Sequence, residues 1–422
     1  MLERFLALAA ECPDAAALIE AESGRVTTRA QLLGRAQEIA RRHGEGDLLP
    51  VQLPNSADFV ATFLAALQRK FVMMLIDRDE RDPARIAAHF RGATLPAEAR
   101  LIKLTSGSTG APKGIVASEA NLEADCRNIC ATMEIRPDDI NLGAIPMSHS
   151  YGFSNLVTPL LMQGTAVVIS NDYLPQSIVD YCNRYQVTVV PAVPMVFDHL
   201  AGVAKGKFNT VRTFLSAGAP LPPSVSRRFR ERFGLPVHTF YGCSECGGIT
   251  YDREGASVER GTVGRAMNGV TLSIERSRLI VRGDNVSLGY LHDAKTFEPF
   301  PRARFRADDL AEIRENGEVA LTGRASELIN IAGRKVNPRE VEQVLIQIDG
   351  VQQVKAYGEP AGARGEVVAA AIVARPDVTR DQVREFCRAR LSPHKVPRII
   401  KLIDAIPIDD RGKVRRSALA EL

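Results

Sequence analysis

Hydrophobic and polar positions fall into two textures along the chain. From Met1 to about Pro236, helix-length amphipathic segments alternate with short apolar runs. Thr28-Arg29-Ala30-Gln31 is a capping box that opens a helix. Phe71-Val72-Met73-Met74-Leu75-Ile76 reads as a buried strand. Further strands are expected at residues 102–104, 166–169, 187–190 and 214–215, each separated by a helix-length segment. That order predicts a largely parallel sheet with helices on both faces.

After Thr250 the pattern changes to short alternating runs, Thr271-Leu272-Ser273-Ile274 and Leu279-Ile280-Val281, with turns at Arg282-Gly283-Asp284-Asn285 and Glu315-Asn316-Gly317. This predicts a small antiparallel β region over residues 250–323. Helices return beyond Gly323-Arg324: Asn337-Pro338-Arg339-Glu340 supplies an N-cap and a first-turn proline, and Thr379-Arg380-Asp381-Gln382 a second cap, with a strand at 367–373 between them. A separate C-terminal α+β domain over 328–422 is expected, after a large N-terminal domain over 1–323.

One stretch carries chemistry on its face. Thr105-Ser106-Gly107-Ser108-Thr109-Gly110-Ala111-Pro112-Lys113-Gly114 lies between the apolar lead Leu101-Ile102 and a helix-like run from Ser118. Glycines allow positive φ, so successive N–H groups converge on an anion, hydroxyls add donors and Lys113 adds charge. Phosphate is the expected guest, in the crevice at the strand C-termini where α/β sheets bind ligands. The spacing is not that of the G-x-x-x-x-G-K-[ST] loop, and a Gly/Ser/Thr stretch alone also reads as a solvated turn.

Composition narrows the rest. The 422 residues are 45% hydrophobic, enough for two or three cored domains. A net charge of +4 does not advertise nucleic acid, and Arg227-Arg228-Phe229-Arg230 reads as a solvated helix face. Seven scattered cysteines and no signal peptide point to a cytoplasmic chain without disulfides, and no run is long enough for a membrane span. Cys243-x-x-Cys246 lacks the second pair or histidines of a zinc site, and no G-x-S-x-G is present.

Downstream of the anion loop stand Tyr241-Gly242-Cys243-Ser244-Glu245, Phe305-Arg306-Ala307-Asp308-Asp309-Leu310, Gly323-Arg324, Gly333-Arg334-Lys335-Val336 and Gly412-Lys413. In this order they resemble the adenylate-forming superfamily of acyl-CoA synthetases, aryl-CoA ligases, luciferases and peptide-synthetase adenylation domains. The resemblance spans Thr27 to the C-terminus. It implies a large N-terminal domain of layered α/β sheets with a small β-rich subdomain, and a small mobile C-terminal domain beyond a hinge at 324–327.

It also implies ATP, Mg²⁺ and a pantetheine thiol, either coenzyme A or the phosphopantetheine of an acyl carrier protein, with a small-molecule carboxylic acid as substrate. The residues matching Thr105, Ser106, Gly107, Ser108, Thr109 and Gly110 would hold the triphosphate, with Lys113 mobile beside them. Glu245 and Thr109 match the metal site. Tyr241 matches the aromatic on adenine, with Gly242 and Ser244 beside it; Gly218, Ala219 and Pro220 line the other face. Asp309 and Arg324 match the ribose site, Lys413 the lysine that bridges carboxylate and α-phosphate, and Gly333 and Arg334 the thiol tunnel.

His149 matches the position at the mouth of the acyl pocket. The segment Ser148 to Asn155 holds no carboxylate to pair with an α-ammonium, and Phe153, Leu156 and Val157 suggest an apolar acid, fatty or aryl. Three departures leave alternatives open. Ala307-Asp308-Asp309 stands where the family has Thr-Gly-Asp, so either aspartate is a ribose candidate; Ser326 occupies the hinge position; and the chain is short for the family. A non-catalytic adenylate-binding or scaffold protein therefore remains the alternative to an enzyme.

Overall fold

The computed structural model describes residues 1–106, 112–170, 172–203, 205–331, 334–360 and 366–407. The chain divides into two compact units, one of residues 1–273, 280–306 and 313–319, the other of 274–279, 307–312 and 320–422.

The first unit holds two large sheets. In a nine-stranded sheet, Ala16–Glu20, Ala166–Ile169, Ile140–Leu142, Val189–Ala192, Thr213–Ser216 and Val237–Cys243 run parallel side by side. Val26–Thr28 closes one edge, and Gly247–Tyr251 with Arg265–Ala266 the other, all antiparallel. In a six-stranded sheet, Leu48–Val51, Val72–Leu75 and Ala99–Ser106 are parallel, and Pro112–Ser118, Gly289–Asp293 and Thr296–Pro299 extend them antiparallel. The expected parallel order thus holds at the centre of each sheet, while the flanks are antiparallel because they are built from hairpins rather than crossovers.

One local expectation needs correction. The strand placed at 187–190 is Val189–Ala192, because Val187 N–H is spent on Cys182 C=O at the end of the preceding helix, and Pro191 is accommodated within the strand. The helix-like run expected from Ser118 is present, and the segment before it, Pro112–Ser118, is a strand paired antiparallel with Ala99–Ser106. Ser118 then caps the helix Glu119–Met133, accepting from Asn121 N–H.

One core lies where Ala57–Arg69 is buried. That helix is capped by Ser56, and every residue from Phe59 to Leu67 is inside, as expected of a helix apolar all round. Phe153 meets Phe63 edge-on at 4.8 Å and Phe59 at 6.4 Å. A second core gathers Phe197, Phe214 and Phe229 against the nine-stranded sheet. The helix Pro223–Phe233 buries Phe229 and leaves Arg227 and Arg228 exposed.

In the second unit Glu366–Ala374 pairs antiparallel with Val351–Pro360 and parallel with Ile399–Leu402. Helices Pro338–Leu345 and Arg380–Arg388 bury Val341, Leu345, Val383 and Cys387 in one core with Ile372. Residues 271–324 contribute short strands to both units. Among the described residues no helix is long and apolar enough to cross a membrane.

Candidate functional site

Within the first unit, three of the sequence motifs converge on one turn. Val237–Cys243 and Gly247–Tyr251 are joined by Cys243-Ser244-Glu245-Cys246, closed by Cys246 N–H on Cys243 C=O at 3.3 Å. The flanking glycines are required. A Cβ on Gly242 would stand 2.2 Å from Gly247 O, and Gly247 has φ +66° with a Cβ position 2.3 Å from the Asp125 carboxylate.

Ser244 is held from two sides. Ser150 Oγ donates to its hydroxyl at 2.8 Å, and Lys103 Nζ donates to its carbonyl at 3.1 Å. Ser150 follows His149 and opens the helical segment Ser150–Gly152; Lys103 lies on the strand that leads into the anion loop. Glu245 is half-buried. Its Oε1 accepts from Tyr290 Oη at 2.7 Å, and its carbonyl accepts from Ser287 N–H at 2.8 Å. Lys113 Nζ sits 3.8 Å above the Tyr290 ring, so the lysine after the loop and the carboxylate of the turn meet through one aromatic ring.

Electrostatics follow from burial. Lys103 is 3% exposed and Asp125 2%. Burial pushes the lysine below its ordinary range and the carboxyl above its own, each restrained by the charge of the other. The Asp125 carboxylate accepts from Ser154 Oγ at 2.6 Å and Gly248 N–H at 2.8 Å. Burial, then Glu245, raises the Tyr290 phenol, and a hydrogen bond with Cys246, then burial, raises the Cys243 thiol. Both remain protonated donors at neutral pH.

The remaining predicted residues of this unit lie on strand ends. Thr105 and Ser106 end the strand before the loop, opposite Lys113 and Pro112. Tyr241 is half-buried opposite Thr250. Gly218, Ala219 and Pro220 are exposed just beyond Thr213–Ser216, with Gly218 at φ +86°. His149 Nε2 lies 3.4 Å from Asp77 Oδ2. Tyr151 Oη donates to Leu215 O at 2.8 Å, and its ring stands 5.6 Å from that of Phe240. Phe153, Leu156 and Val157, expected from sequence beside the acid, are fully buried in the core. They lie in a π-helical turn, Phe153–Val157, that directs Ser154 inward to Asp125.

The second unit carries the ribose and hinge candidates. Arg324 Nε donates to Asp309 Oδ1 at 3.2 Å, and the Asp309 side chain is 14% exposed. Asp308 is engaged elsewhere: it accepts from Ser326 N–H at 3.2 Å and from Ser326 Oγ, and lies 3.5 Å from Arg278 Nη2. Ser326 sits in the 3-10 turn Ala325–Glu327. Asn337 Nδ2 donates to Thr322 O at 2.7 Å, and Arg339 to Leu321 O. Arg334 is exposed at the start of Arg334–Val336. Gly107, Ser108, Thr109, Gly110, Gly333 and Lys413 lie outside the described residues.

Sequence reasoning missed Lys103, Asp125, Ser150, Asp77 and Tyr290. Lys103 carried a signal, a charge inside the apolar strand Leu101-Ile102-Lys103-Leu104. The others become visible only through contacts between distant parts of the chain.

Comparison with known proteins adds the following. A profile of AMP-binding enzymes matches residues 80–291, and a profile of the AMP-binding enzyme C-terminal domain matches 340–413. A (methyl-dioxo-octahydro-indenyl)propanoyl:CoA ligase of Rhodococcus jostii is 30% identical over 363 residues, 83% of this chain and 69% of that protein. Feruloyl-CoA synthase of an Amycolatopsis species is 28% identical over 334 residues, 74% of this chain and 68% of that protein. Among solved structures, o-succinylbenzoate CoA synthetase of Bacillus subtilis with an acyl-adenylate intermediate superposes with a TM-score of 0.83 at 23% identity, covering 98% of this chain and 97% of that one.

Proposed function

Because the chain belongs to the family of AMP-binding enzymes and is an acid–thiol ligase of the AMP-forming type, we propose which of its residues perform each half-reaction and what acid it takes. A carboxylate oxygen attacks the α-phosphorus of ATP, and pyrophosphate leaves. A thiol then attacks the acyl carbon and AMP leaves, with coenzyme A as the thiol.

In the first half-reaction Thr105 to Gly110 and Lys113 cradle the triphosphate, Ser244 receives the α-phosphate, and Tyr241 with the 218–220 loop encloses adenine. Glu245 presents a carboxylate already oriented by Tyr290, an oxygen donor of the kind Mg²⁺ accepts alongside phosphate oxygens. Glu245 and Thr109 would hold that ion, which supplies neutralisation of the departing charge. Asp309 and Arg324 take the ribose. The single observation that most supports this assignment is the double hold on Ser244, because it draws the lead into the anion loop and the His149 segment to the same turn.

Lys413 delivers a cation to the reacting carboxylate and α-phosphate in the first step, and the Gly333-Arg334 loop borders the thiol in the second. Both belong to the same small domain, so residues 324–327 act as the hinge that presents them in turn. The acid is a fatty or aryl carboxylate without an α-amine. Asp77 stands beside the His149 ring, and Asp125, the carboxylate reached by Ser154 of the following segment, is committed to Ser154 and Gly248.

The test is pyrophosphate release over a panel of fatty, aryl and amino acids, repeated with coenzyme A and with holo carrier protein, products read by mass. Octanoate or benzoate analogues are expected to outperform every proteinogenic amino acid, and coenzyme A to outperform carrier protein. Lys413→Ala is expected to slow adenylation by roughly 10²–10³-fold while sparing thioester formation from supplied adenylate. Nucleotide binding with no acid-dependent turnover would favour the scaffold reading.

A further inference from the structure

Lys103 and Asp125 stand at the two ends of the turn that carries Ser244 and Glu245. Lys103 donates to Ser244 C=O at 3.1 Å, one residue past the end of the turn's first strand, and Asp125 accepts from Gly248 N–H at 2.8 Å, just inside its second. The cation holds a carbonyl and the carboxylate holds an amide, so each charge satisfies the backbone group of opposite polarity. Both side chains are almost wholly inside, at 3% and 2% exposure, on elements otherwise dedicated to the core. Lys103 shares its strand face with Leu101, which is fully buried, and Asp125 lies on the buried side of Glu119–Met133 with Leu122 and Ile129.

Burying two opposite charges is a poor way to gain stability, since a well-packed apolar pair at the same place serves as well or better. What charges supply instead is orientation. Lys103 fixes the direction of the Ser244 carbonyl and hence the plane of the peptide that precedes Glu245. Asp125 fixes the amide two residues beyond Cys246 and, through Ser154, ties the turn to the π-helical segment. A third hold, Ser150 Oγ on Ser244 Oγ at 2.8 Å, then sets the hydroxyl.

We propose that Lys103 and Asp125 are positioning residues: a buried charged clamp that holds the Ser244-Glu245 turn in its phosphate-receiving geometry before nucleotide arrives. The inference rests on the assignment of Ser244 to the α-phosphate. It explains why a lysine interrupts an apolar strand two residues before Thr105, where the anion loop begins. The clamp acts through the turn and touches no substrate.

The test measures AMP affinity by titration calorimetry, without metal or acid, in the full chain and in two variants, Lys103→Met and Lys103→Met/Asp125→Asn, with melting temperatures alongside. The single variant leaves Asp125 without its counter-charge and is expected to lose both stability and affinity. The double variant removes both charges, is expected to melt within a few degrees of the parent, and should bind AMP at least tenfold more weakly. A double variant that melts lower but binds AMP like the parent would show the pair to be merely structural and overturn the clamp. A parent that does not bind AMP would overturn the nucleotide-site reading and the clamp together. Backbone amide exchange in the ligand-free parent needs no variant. Protection of residues 244–248 before AMP is added is expected, and protection gained only on binding would overturn the clamp alone.

Discussion

Tyr290 donates its phenolic hydrogen to Glu245 Oε1 at 2.7 Å while Lys113 Nζ rests 3.8 Å above the centre of the same ring. The tyrosine comes from Gly289–Asp293, which pairs with Pro112–Ser118 directly, Tyr290 opposite Ile115. The strand that leaves the anion loop therefore brings with it the residue that aims the carboxylate of a turn 45 positions earlier in the chain.

Tyr290→Phe keeps the ring beneath Lys113 and removes the donor to Glu245. Loss of one hydrogen bond to a charged group, about 1.5–3 kcal/mol, predicts a roughly ten- to hundredfold rise in the Mg²⁺ concentration needed for half-maximal pyrophosphate release. The Lys113 contact survives in this variant, so Tyr290→Leu should be worse still. An unchanged Mg²⁺ requirement in Tyr290→Phe would detach Tyr290 from the site.

The two adjacent aspartates are expected to separate in steady-state kinetics. Asp309 is paired with Arg324, the other ribose candidate, whereas Asp308 is engaged by Ser326 and Arg278. Asp309→Ala should raise KM for ATP at least tenfold. Asp308→Ala should leave that KM within about threefold and instead change the ratio of thioester formation to adenylation, because it releases Ser326 in the hinge. The reverse pattern would assign the ribose to Asp308.

Away from the site, Asp139 sets part of the acid limit of stability. It is 4% exposed and accepts from Thr188 Oγ1 at 2.7 Å, Arg136 N–H at 2.7 Å and Arg212 Nε at 3.2 Å. Burial pushes this carboxyl up, but Arg212 and the other donors outweigh it and hold it below its ordinary value. A carboxyl depressed in the folded state contributes stability above its unfolded pKa, about 3.9, and loses it as pH falls through the folded value. Asp139→Asn should therefore lower stability by ~1–3 kcal/mol near neutrality, with the gap to the parent closing below about pH 4 in melting curves. A gap that stays constant to pH 2 would contradict the assignment.

Much of this architecture is legible from local signals. The capping boxes at Thr28 and Thr379 form with both of their hydrogen bonds, and Asn337 caps the helix that begins at Pro338. The family motifs are local too, so Tyr241, Ser244 and Glu245 could be named before any contact was known. What could not be read was pairing at a distance. Ile115-Val116-Ala117 is an apolar run that passes equally for the lead into a helix, and only its register against 99–106 makes it a strand. Val187 to Ala192 is apolar but for Thr188, so its pattern does not mark where the strand begins. Phe153, Leu156 and Val157 have the composition of a pocket wall, yet the π-helical turn sends them into the core against Phe59 and Phe63. Lys103 and Ser244 lie 141 residues apart, and no spacing rule connects them.

The central claim is that the acid is activated by attack on the α-phosphorus, and an isotope measurement decides it. With a substrate acid labelled with ¹⁸O in both carboxylate positions, ATP and coenzyme A, one labelled oxygen should appear in AMP for every thioester formed. The oxygen that attacked phosphorus must leave with AMP when the thiol displaces it. Label recovered in inorganic phosphate with ADP as the nucleotide product would place the attack at the γ-phosphorus and contradict the account.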